Sequence, residues 1–132
     1  MVIATCVETP TRFRRYTVAE ATNIPKGTIL KMTSPSTAIA SSATNDPFAG
    51  IAWEEFKGGE GLTQITAAAN GVWLIASTAA AVGVGQPVAI GGADAVRAAI
   101  EADTVLGDIV GKSETTVSGS GGTLRVIVGE VI

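Results

Sequence analysis

A short motif returns 58 residues downstream. Lys26-Gly27-Thr28-Ile29-Leu30-Lys31-Met32 aligns with Val84-Gly85-Gln86-Pro87-Val88-Ala89-Ile90, and Ala38-Ile39-Ala40 aligns with Val96-Arg97-Ala98 at the same spacing. Residues 46–52 then match residues 103–109 at a spacing of 57. Each copy reads as turn, strand, turn, short strand, acidic turn and a Gly-containing strand. Two copies are too few for a solenoid, so the repeat implies a pseudo-duplicated barrel or sandwich. The competing reading is chance similarity among Ala-, Val- and Gly-rich strands.

The punctuation between the copies supports an all-β fold. Sixteen glycines and frequent Ser and Thr break the 132-residue chain into short runs, and turn residues of this kind separate strands. The apolar 46% of the sequence is mostly Ala, Val and Ile with few aromatics, a composition that suits thin, closely packed sheets. Asn70-Gly71 predicts a hairpin between residues 62–68 and 71–76, because both central positions of a type I′ turn need positive φ. Gly119-Ser120-Gly121-Gly122 reads as a loop before a last strand that alternates Leu124, Val126 and Val128 against Thr123, Arg125 and Ile127. Only residues 77–82 lean towards helix, and Gly83 and Gly85 stop them. The pattern predicts at least eight strands, no helix longer than two turns, and a core of Ile29, Leu30, Ile51, Leu74, Ile75, Val88, Ile90, Val126 and Val128. Trp53 and Trp73 suit either core or interface.

Charge divides the chain. Residues 1–31 hold five basic and two acidic side chains, and the remainder holds four and ten, within a net charge of −3. Arg12-Phe13-Arg14-Arg15-Tyr16 shows no clean period-2 face, and a Pro-Gly turn at Pro25-Lys26-Gly27 opens the repeated body. Residues 1–21 therefore read as an N-terminal arm or as a first strand kept soluble by its charges, and residues 22–132 as the β-barrel body. The charge asymmetry favours the arm, with Arg12, Arg14 and Arg15 as charge anchors and Phe13 and Tyr16 as apolar ones for a protein partner. An acidic body repels nucleic acid, so nucleic acid is not expected as the partner. Residues 1–10 lack the charged and apolar regions of a signal peptide. Residues 72–90 are too interrupted for a membrane helix, which predicts a soluble protein made in the cytoplasm.

Chemistry is sparse. The sequence contains no histidine and one cysteine, Cys6, so Ser-His-Asp and Cys-His systems and most zinc sites are excluded. Cys6 reads as a small half-buried hydrophobe. Residues 107–113, Gly-Asp-Ile-Val-Gly-Lys-Ser, have three residues where a phosphate loop needs four before its Gly-Lys-Ser; Gly111-Lys112 reads as a strand end. Glu54 and Glu55 point to opposite faces of a strand and cannot flank one bond, while Glu101 and Asp103 fit a surface turn. No catalytic residue, cofactor or metal is expected, and the chain is not expected to be an enzyme.

The body carries "IPKGTILKM", "DPFAGIA", "NGVWLIA", "VGVGQPVAI", "AVRAAI" and "VLGDIVGKS…GGTLRVIV" in that order. In order and spacing this resembles the small β-barrel decoration, or cement, proteins of tailed-bacteriophage capsids. The resemblance implies a structural virion protein on the outer capsid surface that binds the major capsid protein, stabilises the head, and associates with itself, with a trimer favoured. The Arg-rich stretch maps onto no family motif, and its role is read from charge alone. The alternatives are another virion or cell-surface structural module, such as a tail component or adhesin domain, and a ligand-binding or enzymatic barrel that uses only Asp, Glu, Lys, Ser or Tyr.

Overall fold

Runs of four to seven β-formers between Gly, Pro and polar turns can make strands but not helices of useful length. The computed structural model describes residues 4–18, 23–44, 46–57, 63–78, 81–100, 107, 109–117 and 122–129, and among these it shows strands and no helix. The strands are β1 (Thr5–Glu8), β2 (Phe13–Thr17), β3 (Ile29–Ser34), β4 (Thr37–Ala40), β5 (Phe48–Ala52), β6 (Gln64–Ala68), β7 (Gly71–Ser77), β8 (Pro87–Ile90), β9 (Ala95–Ala98), β10 (Ile109–Ser113) and β11 (Gly122–Val128). In the order β2-β4-β3-β5-β6 the first set closes into a five-stranded barrel, and β7-β11-β10-β8-β9 closes into a second. β7 pairs along its whole length with β11; its other edge is shared between β1, opposite Val72–Leu74, and β9, opposite Ala76 and Ser77.

The two barrels are copies of one plan. Each is closed by a parallel contact, Thr17 with Thr37 in the first and Ala76 with Ala95 in the second. Isolated bridges Ile24–Phe56 and Val82–Val117 occupy matching places. The Gly27 N–H donates to the Ala52 carbonyl as the Gly85 N–H does to that of Ser113. The β3–β4 and β8–β9 turns both carry a left-handed residue, Ser36 at φ 55° and Asp94 at φ 54°.

Several details depart from the sequence reading. The third repeat match is out of register: β5 corresponds to β10, and Gly50 to Gly111 rather than Gly107. Both glycines lie against a carbonyl of the next strand, that of Ala68 or Ile127. Asn70-Gly71 makes no hairpin, because β6 and β7 belong to different barrels. Gly71 does adopt positive φ, 103°, but the dipeptide is the crossover between barrels, and the Asn70 side chain is occupied in holding the start of β2. Leu74 faces outward and is exposed; the other eight expected core residues are buried. Of the stretch expected to lean towards helix, Ser77 ends β7 and Val82 bridges Val117; residues 79–80, 101–106 and 118–121, which include the middle of that stretch, Glu101, Asp103 and most of the Gly-Ser loop, lie outside the described residues.

The N-terminal reading changes most. β2 is a stave of the first barrel, paired residue for residue with β6 from Phe13↔Ala68 to Thr17↔Gln64. The barrel body therefore begins before residue 22, and residues 5–8 are a strand of the second sheet. The physical reason is inward alternation: Tyr16 is buried and its hydroxyl donates to the Ala49 carbonyl at 2.9 Å.

Hydrophobic packing joins the barrels. One core lies inside the first barrel, around Tyr16, Leu30, Phe56 and Ile65. The other fills the second barrel and takes in Ile29, Ile51 and Ala68 from the outer side of the first. Polar contacts seal this junction: the Ser41 hydroxyl donates to the Gly92 carbonyl at 2.9 Å, and Asp94 Oδ1 accepts the Ile29 N–H at 3.3 Å. Burial pushes the Asp94 carboxyl above the usual aspartate range, opposed by the Ile29 N–H, which favours the anion. A native value above the unfolded one means that ionisation costs stability at neutral pH, a cost that fades as pH falls through the native value. Asp94→Asn keeps the acceptor and tolerates left-handed φ. It should be at least as stable as the parent at pH 7 and should lose the pH dependence between the ordinary aspartate value and the raised one. Asp94→Ala orphans a buried N–H and should cost ~1–3 kcal/mol at either pH. Urea titrations of both variants at several pH values check this.

Candidate partner-binding surface

The strand that carries the expected contact residues is positioned by its neighbours. Asn70 Oδ1 accepts the N–H groups of Thr11 and Arg12 at 2.9 and 3.0 Å, and its Nδ2 donates to the Thr11 hydroxyl at 2.9 Å. The Arg12 carbonyl accepts the Ala69 N–H at 2.9 Å. The segment entering β2 is thus fixed by four hydrogen bonds before the ladder with β6 begins.

Alternation then sorts the five residues. Phe13, Arg15 and Thr17 point away from the barrel, and Arg14 and Tyr16 point inward. Tyr16 is core rather than contact residue. Arg14 lies at the open end of the barrel and stays exposed, as do Arg12, Phe13 and Arg15. None of the three arginines forms an ion pair among the described residues. Other cations do: Lys31 lies 3.6 Å from Asp46, and Arg125 is 3.3 Å from both Glu8 and Glu114. The nearby carboxylate of Glu54 is engaged, accepting the Thr66 N–H at 3.0 Å on the strand beside Arg15.

Phe13 belongs to an aromatic row that sequence reasoning missed. Its ring lies 5.5 Å from that of Trp53, which meets Trp73 edge-on at 6.1 Å, and Lys26 Nζ sits 4.2 Å above Trp53. Trp73 is wholly buried, while Trp53 is half-buried between it and Phe13. Such contacts are worth ~0.5–1.5 kcal/mol each beyond area burial. They also set an apolar edge beside the arginines. Nothing in the local sequence around Trp53 or Lys26 signals this, since only barrel closure brings residues 13, 26, 53 and 73 together. A shallow recess beside the row is lined by Thr11, Arg12, Phe13, Arg14 and Ala69.

Cys6 is half-buried against the core with its Sγ 3.4 Å from the Glu8 carbonyl. Gly111-Lys112-Ser113 is the second half of β10, inside the sheet rather than in a phosphate-binding turn. Among the described residues no three metal-ligating side chains converge, and no helix is long and apolar enough to cross a membrane. What the fold and this surface define is a double β-barrel with one basic, aromatic-flanked strand exposed. Compared with known proteins, the chain matches no family model and no curated sequence.

Proposed function

We propose that this protein is a capsid decoration protein of a tailed bacteriophage, a non-enzymatic structural component that binds the major capsid protein from outside and stabilises the head. The observation that carries the reading is the row of exposed arginines with no ion-pair partner among the described residues, Arg12, Arg14 and Arg15, beside Phe13 on an ordered barrel strand. Arginine pairs bidentately with carboxylates, and an adjacent aromatic supplies buried area. Because β2 is already ordered, docking avoids the ~1–2 kcal/mol per residue that a flexible arm would lose in backbone entropy. Self-association, as a trimer, belongs to the same proposal. Val84 and Ile100 are 69% and 65% exposed and emerge at one end of the β8–β9 pair, an apolar surface that suits a contact between copies.

Binding to undecorated heads of the parent virus tests this. The protein should bind saturably, and the triple reversal Arg12→Glu, Arg14→Glu, Arg15→Glu should lose at least ~100-fold in affinity with little change in thermal midpoint. The loss should be larger at low salt, where attraction is less screened. No binding by the parent, or undiminished binding by the folded triple variant, refutes the proposal.

A further inference from the structure

The internal duplication exposes an asymmetry at Arg14. In the second barrel Trp73 pairs with Val126 and Ile75 with Leu124; in the first, Arg14 pairs with Ala67 and Tyr16 with Ile65. Arg14 therefore holds the place of Trp73. Trp73 is wholly buried because the outer side of the first barrel, at Ile29, Ile51 and Ala68, packs into the same core. Arg14 has no such cover among the described residues and opens into the recess lined by Thr11, Arg12, Phe13, Arg14 and Ala69. One barrel end is covered from within the chain and carries a tryptophan. Its twin, open among the described residues, carries an arginine.

The same duplication says what does not cover it. Ile29, Ile51 and Ala68 are mutual register partners, and their counterparts in the second barrel are Pro87, Lys112 and Ile127, which are likewise mutual partners. A second copy docking by the internal geometry would set Lys112 against Arg14, and like charges brought together out of water are strongly disfavoured. We infer that the open end of the first barrel receives an acidic peptide segment of a different protein, with a carboxylate on Arg14 and apolar contact with Phe13. This names the partner chemistry of the surface proposed above and rests on that reading only for the identity of the partner as capsid.

The test uses the full chain, an N-acetylated, C-amidated hexaglutamate peptide as probe, and amide resonances as the readout. At moderate salt the peptide should shift the amides of Arg12, Phe13, Arg14 and Ala69. Arg14→Gln should weaken it by about tenfold, the effect of losing one charge-assisted contact. Arg15→Gln, on the outer face, should weaken it less, and Lys112→Gln should leave it unchanged. Shifts spread evenly over Lys26, Lys31 and Lys57, or equal losses for Arg14→Gln and Arg15→Gln, overturn the inference. So does tighter binding of an octathymidylate oligonucleotide at the same amides, which would mark a nucleic-acid site. If the peptide binds as expected and heads do not, the capsid reading alone fails; if heads bind and Arg14→Gln binds them equally well, this inference alone fails.

Discussion

Deletion of residues 1–17 should abolish cooperative folding. An appended arm would leave the thermal midpoint nearly unchanged, but β2 is a stave. Its removal takes away five residue pairs with β6 and the closing contact with β4, leaving both strands with unpaired backbone edges. It also removes the buried Tyr16, and loss of a large aromatic from a core costs ~3–5 kcal/mol by itself. With β1 goes the Glu8–Arg125 ion pair and the cover over one edge of β7. Set against a total stability of ~5–15 kcal/mol, these losses are decisive. Circular dichroism through a thermal ramp and the dispersion of the amide spectrum report the outcome. A truncated chain that melts sharply near the parent midpoint would show that the first barrel closes without β2.

Gly111→Ala should be strongly destabilising. A Cβ at Gly111 would overlap the Ile127 carbonyl oxygen and lie 2.9 Å from both the Ile127 carbonyl carbon and Val128 Cα. All of these are backbone atoms of the neighbouring strand β11, so no side chain can swing aside. Relief requires β10 and β11 to separate where Gly111 pairs with Val128. Overpacking of this kind costs ~1–3 kcal/mol where the surroundings can adjust and more where they cannot, so a loss of at least ~3 kcal/mol in urea is expected. Gly83→Ala makes the control. Its Cβ would meet only Gln86 Oε1 at 3.6 Å, and a modest gain of ~0.4–1 kcal/mol is expected from the stiffer unfolded chain. Similar effects at the two positions would contradict the close strand approach at Gly111.

The contrast between these glycines shows how far composition reaches. Both look alike in sequence, and the repeat alignment chose Gly107 as the partner of Gly50 because it stood at the expected spacing. Only the pairing of β10 with β11 reveals that Gly111 is the residue lying against a neighbour's carbonyl. The candidate surface divides in the same way. The unusual charge and aromatic content of residues 12–16 was legible, and four of the five residues are exposed. Tyr16 was not separable from them, because Arg14 shares its inward parity while sitting at the barrel rim, so polarity masks the period-2 pattern. Trp53 and Lys26 carried no local signal at all.

Sequence alone determined most of the strands after residue 23: runs of β-formers bounded by Gly, Pro and Asn, the buried alternation of Leu124, Val126 and Val128, and a 58-residue repeat that became two barrels. These are local properties, set by side-chain period and by backbone conformations each residue tolerates. Tertiary structure alone decided which edges meet. Asn70-Gly71 specifies a bend but not the strands that pair across it, and here the bend passes from one barrel to the next. Leu74 sits in an apolar run, Val72-Trp73-Leu74-Ile75, whose inward face no period can choose. Closure decides it: β1 and β11 pair on either side of β7 and direct Trp73 and Ile75 into the core. The same closure makes β2 a stave, because the unpaired edges of β4 and β6 are satisfied by that strand.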